Sequence, residues 1–450
     1  PGTITADGSP IAKTDSPFDD PAGFVFGKNE DQNVIKCGSY EGNNADDGTE
    51  VYLGWEPSLL LIKSVDTADN WCMFDNLRGL NVDGVNDEAL FPNTSDSEAA
   101  GNYLTPTSTG FKLTTTSDRV NNNSTYIYMA IRRSDGYVGK QYGAGEGTSV
   151  FAMDTGAGSS TIPNFDSTFP VDFAMARTIN ISNDWNAGAR ILGPNYAIPN
   201  TTAAWSGAAS FLWDSNVGWN NYSGWGSSSQ SWMWKRHAGF DVVTYVGNQT
   251  SGHHIAHSLG PNNVPEMIWT KNRDQIQGWH VGHKDLNGGT NPWDYYLVLS
   301  DSPNEQENGP SNLWEAPTAT HFTVGSDARA NRNNDDYLAI LFSSVNGISK
   351  VGSYTGSSNS ITVTTNFAPR FVIIKNASSN SYDSSTDWFV FDTTRGWASG
   401  NNDKLLRLNE NDAQTTEDWT NLTSTGFTIN ADSGNDLNNN GDRYIYYAHA

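Results

Sequence analysis

The side chains that could do chemistry are few and scattered. His253, His254 and His257 form H-H-x-x-H, with His280 and His283 close behind. Zinc would need these rings to converge, and the protease arrangement H-E-x-x-H is missing both its Glu and a helix to carry it. Solvated or turn histidines are therefore the favoured reading. Asn/Asp-rich connections run over Asp118 to Asn123, Asp327 to Asp336 and Asp432 to Asp442. Calcium takes about six to eight oxygen ligands, which makes Asp432, Asp436 and Asp442 candidates for it. There is no EF-hand register, however, and Asn, Asp and Gly adopt left-handed turn conformations cheaply, so plain hairpin loops are favoured. Glycan hydrolysis needs two carboxylates roughly 5 to 10 Å apart, and the 50 acids single out no pair. No G-x-S-x-G, Walker loop or Cys-His nucleophile stands out. The sequence names no catalytic residue and no cofactor other than the calcium alternative.

The elements that would position these groups repeat along the chain. Residues 71 to 79 and 388 to 396 share W-x-x-F-D-x-x-R-G, which pairs Trp71 with Arg78 and Trp388 with Arg395. Thr107 to Phe111 recurs as Thr423 to Phe427, and Gly38-Ser39-Tyr40 recurs as Gly352-Ser353-Tyr354. Two weaker copies lie between. Lys63, Arg177 and Lys271 each precede a Trp (Trp71, Trp185, Trp279) by eight residues, and Lys375 precedes Trp388 across a longer loop. Steps of 108, 103 and 105 residues separate Phe111, Trp219, Phe322 and Phe427, so the period is about 105.

Each copy holds about seven short runs rich in β-branched and aromatic residues between turn clusters, with no sustained 3.6-residue apolar period. The expected fold is all-β: four tandem jelly-roll or concanavalin-like β-sandwich repeats, at 33–134, 135–239, 240–347 and 348–450, after an extended arm at 1–32. Phe371 to Lys375 reads as a strand buried on both faces. Trp71, Trp185, Trp279 and Trp388 are expected at equivalent core positions, and the Asp–Arg pairs as structural ion pairs. A net charge of -24 disfavours nucleic acid. No apolar run reaches membrane-spanning length, and the first thirty residues lack signal-peptide regions.

Cys37 and Cys72, the only two, fall on strands of the first repeat and are expected near each other; bonding requires Cα atoms within about 7 Å. Trp205, Tyr222 and Trp225 are surplus to the repeat pattern and sit among Gly, Ser and Asn. They are the leading candidates for any ligand contact, although packing within the domain or against a neighbouring chain is the favoured reading.

The W-x-x-F-D-x-x-R-G, T-S-T-G-F and closing aromatic-strand motifs resemble a domain of unknown function found, often in tandem, in virion proteins of marine tailed phages. The resemblance covers residues 33 to 450 and is clearest in the first and last copies. It implies a lectin-like sandwich in a non-enzymatic structural protein of the virion surface, most simply a tail fibre or fibre-associated adhesin. The expected partners are other virion proteins, further copies of the chain (a trimer among the options) and a host-surface glycan or protein. A capsid-decorating protein and a glycan depolymerase are the alternatives.

Overall fold

The computed structural model describes residues 35–450 except 47, 83–86, 108–109, 133–140, 261, 358, 379–385, 401–402 and 432–436. The expected arm at 1–32 lies outside the described residues, as do Asp432 and Asp436. The chain folds as two compact units, one comprising residues up to 80 with 84–136, the other 81–83 with 137–450.

The fold is all-β, with antiparallel strands throughout. Among the described residues α-helix is confined to Ala328–Asn331 and Leu437. One strand order, opening–closing–second–third, recurs in four large sheets. In the first unit it is Ile35–Glu41, Thr125–Arg132, Pro57–Ser64 and Cys72–Asp75. In the second unit it begins with Phe151–Thr155, Ser229–Trp234, Phe173–Thr178 and Asn186–Ala189. Next come Phe240–Val246, Asp336–Phe342, Met267–Asn272 and His280–His283, then Ser349–Thr355, Arg443–His449, Phe371–Asn376 and Trp388–Asp392. A smaller sheet carries Phe111, Trp219, Phe322 or Phe427 against each large one, and all four rings are fully buried.

The alternation of a strand explains the layers. In Arg443–His449, Tyr444, Tyr446 and Ala448 point into their own sandwich, while Ile445, Tyr447 and His449 point out of it. Phe371–Asn376 is likewise buried along its whole length, as its uninterrupted apolar run suggested. The outward faces of the three large sheets in the second unit meet in one shared core, built from Phe151, Phe173 and Trp232, Phe240, Trp269 and Ile340, and Phe371, Ile373 and Tyr447 among others.

The repeated motifs each have a local cause. A Cβ at Gly38 would stand 2.5 Å from Tyr128 Oη and one at Gly352 2.7 Å from Tyr446 Oη, so only Gly lets those rings lie across the opening strand. The Tyr that follows stacks on the first Tyr of the closing strand: Tyr40 on Tyr126 at 5.1 Å, Tyr245 on Tyr337 at 5.0 Å and Tyr354 on Tyr444 at 4.9 Å. Asp75 and Asp392 each take the Nε of the Arg three residues on, at 2.7 and 2.5 Å, and the turn ends on Gly79 and Gly396 at φ of 122° and 113°. The second pair is buried and the first half-buried.

Candidate functional site

The register puts Lys375 opposite Trp388 and, carried one residue past the last paired position, Lys63 opposite Trp71, Arg177 opposite Trp185 and Lys271 opposite Trp279, each at the same end of its sheet. Inside the second unit these pairs close a ring. Arg177 Nη2 donates to Asn411 O at 3.0 Å and Asp412 O at 2.7 Å, on the last of the three sheets. Lys375 Nζ donates to Ser302 O at 2.8 Å, and Lys271 Nζ to Thr202 O at 3.2 Å. Each cation thus reaches one neighbour, always in the same sense around the ring. The tryptophans follow: Trp185 Nε1 donates to Arg407 O at 2.8 Å and Trp388 Nε1 to Val298 O at 3.0 Å. Asn411 and Ser302 each lie four residues beyond those acceptors, and Thr202 lies four beyond Ile198, the corresponding position of the remaining sheet. Trp279 Nε1 has no such partner; its ring meets Trp205 at 6.2 Å.

The chemistry of this ring is cation-to-carbonyl. Burial lowers Arg177 to about 10, Lys271 to about 8 and Lys375 to about 7. Lys375 also donates to Asn376 O at 2.9 Å and to Thr386 O, and Lys271 to Gln277 O. These buried donors are committed to main-chain acceptors, which fixes the distance between sheets. Trp232 adds a further tie, donating to Asp392 Oδ2 at 3.0 Å from a different sheet.

The histidines do not converge. His254 lies against His321, with Nδ1 2.9 Å from Thr323 Oγ1, while His257 Nε2 lies 2.9 Å from Thr318 O. His280 and His283 correct the expectation of solvated or turn residues. Both sit in a strand whose two faces are covered, and burial holds each down to about 3. His237 is held at about 3 for the same reason, and His449 is also pushed well down by burial. All four are neutral packing groups. Among the described residues, no cluster of three His, Cys, Asp or Glu is placed to hold a metal.

Each Asn-rich connection holds one buried Asn that plugs it. Asn331 Nδ2 donates to Gly325 O at 2.6 Å and Thr250 O at 3.0 Å; Asn121 Nδ2 donates to Thr115 O and Ala45 O, and Asn438 Nδ2 to Asn359 O and Asn430 O. Sequence reasoning missed these three; their signal was one Asn five or six residues before the closing-strand Tyr. Asp442 Oδ2 accepts from Asn376 at 2.9 Å and Asn439 at 2.7 Å, ordinary turn bonds.

Of the surplus aromatics only Tyr222 is exposed, at 50 %. Trp225 is a correction: it is 6 % exposed, because the Ser/Gly-rich connection folds back and packs it on Phe165, Phe211 and Trp219. Trp205 is half-buried against the shared core. The cysteines are a further correction. Cys37 and Cys72 are free, on the first and last strands of a four-stranded sheet, about 14 Å apart at the usual strand spacing, and on opposite faces.

Among the described residues no helix is long and apolar enough to cross a membrane. Comparison with curated proteins finds no match. The model of a domain family of unknown function, DUF7483, matches residues 23–135 and 197–450, and the chain belongs to that family.

Proposed function

We propose that the chain is a non-enzymatic structural protein of a virion surface, a tail fibre or fibre-associated adhesin that contributes to host attachment. The observation that carries the structural part is the ring of Arg177, Lys271 and Lys375: the polar groups that recur in the chain are spent on holding sheets together. The placement on a virion rests on the motif resemblance. In this reading the sandwiches form a rigid mount, and loops at their ends, with exposed Tyr222 among the side chains available, meet a host-surface glycan or protein. Several weak contacts on one mount gain from high effective concentration.

The test is immunogold labelling of purified particles with an antibody to the chain, run beside a reducing-end assay on host polysaccharide. Label on tail fibres with no sugar release supports the proposal. Label on the capsid shell favours the decorating protein, and release of reducing ends by the purified chain overturns the non-enzymatic reading.

A further inference from the structure

The first unit carries the sheet face that the second unit buries three times, and there it is open. Register fixes the correspondence. Leu59, Leu61 and Lys63 match Phe371, Ile373 and Lys375; Ile127, Met129 and Ile131 match Ile445, Tyr447 and His449; Trp71 and Met73 match Trp388 and Val390. All eight counterparts in the last sheet are buried, as are those of the two sheets before it. On the first unit's face Ile127 is 39 % exposed, Ile35 is 42 % exposed, and Leu59, Leu61, Trp71, Met73, Met129 and Ile131 are only half-buried.

The acceptors are in place as well. Trp71 N donates to Asn93 Oδ1 as Trp388 N does to Asn409 Oδ1 and Trp185 N to Asn200 Oδ1. That alignment makes Phe91 the counterpart of Arg407, and Ser95, which is exposed, the counterpart of Asn411. Lys63 Nζ donates to Thr67 O at 2.9 Å and to Ser64 O, both on its own sheet. The bond its counterparts make to a neighbouring sheet is missing from its set.

We propose that this face closes with the same face of two further copies of the chain, giving a threefold-symmetric trimer in which Lys63 of each copy donates to Ser95 O of the next and Trp71 Nε1 to Phe91 O of the next. Three such faces, with these side-chain types in this register, already close on one another inside the second unit, so the same chain supplies both the pattern and the occupant. The contact is head-to-tail and closes at three, as a cyclic assembly requires. Nothing in this depends on the virion reading.

The experiment is sedimentation velocity on the full chain over about 1 to 50 µM, since assembly depends on concentration. A species of three times 49.0 kDa, 147 kDa, is expected. Ile127→Arg and Met129→Glu should each raise the concentration needed for trimer at least 100-fold with near-UV circular dichroism unchanged. Tyr52→Glu, on the other sheet and 69 % exposed, should leave assembly as it is. Ile127→Arg is the safer variant because its side chain already meets solvent. A wild-type monomer at every concentration, a dimer, or a trimer that withstands both face variants would each overturn the proposal; a monomer would show that something other than further copies covers the face.

Discussion

Lowering the pH to 5.5 should destabilise the second unit through its buried histidines. His237, His280 and His283 sit near 3 and burial pushes His449 well down too, against an ordinary 6.5. These folded values are depressed, so between about 3 and 6.5 the unfolded chain binds protons that the folded one refuses, and stability falls as pH falls. One unit below the ordinary value each histidine removes roughly 1.4 kcal/mol, so four remove roughly 5.5 kcal/mol at pH 5.5, comparable with the net stability of a domain, about 5 to 15 kcal/mol. His257 shifts the same way. Burial raises Asp336, Asp387 and Asp403, which contributes with the opposite sign. Urea unfolding followed by Trp fluorescence at pH 7.5, 6.5 and 5.5 should show the midpoint dropping steeply across the last interval. His449→Phe, which copies Phe342 at the matching register of the neighbouring sheet, should remove about a quarter of the drop. A midpoint constant from pH 7.5 to 5.5 would refute the assignment of these rings as buried and neutral.

Trp388→Ala should cost about 4 kcal/mol in the second unit's urea transition, because it empties a fully buried site and removes the indole donor from Val298 O. Arg395→Leu alone should cost about 3 to 5 kcal/mol by leaving Asp392 buried without its counter-charge, whereas Arg395→Leu with Asp392→Leu should recover much of it in a double-mutant cycle. Gly352→Ala should cost about 1 to 3 kcal/mol by driving Tyr446 off the opening strand, read as a lower thermal midpoint.

Much of the layering was legible because β alternation and motif recurrence are local signals. Phe371 to Lys375 announced a strand with both faces covered, and W-x-x-F-D-x-x-R-G announced a turn closed by its own ion pair. What covers the second face was not legible. An apolar outward face reads the same whether a helix, a sibling sheet or another chain lies over it, and the ring contacts of Arg177 with Asn411 and Asp412 span more than two hundred residues. Trp225 failed for a related reason: Gly, Ser and Asn around it describe a loop's conformational freedom, not whether the loop folds inward. His280 and His283 alternate within a short strand, and nothing nearby showed that the strand is interior. The plugging asparagines were hidden among turn-forming ones, since Asn121 and Asn123 differ in depth rather than in type.

The ring of cations and tryptophans also limits how such a chain can grow. A row of independent beads can be lengthened by duplicating one, because each new member brings a complete interior. Here every large sheet of the second unit lends one face to a closed circle of three with a fixed direction. Removing one would bare two apolar faces at once, and inserting a fourth would find no seat. Copy number in that unit is set by closure rather than by reach. Gene duplications that preserve it should arrive as whole circles, or as single sandwiches that, like the first unit, keep a face outside the circle.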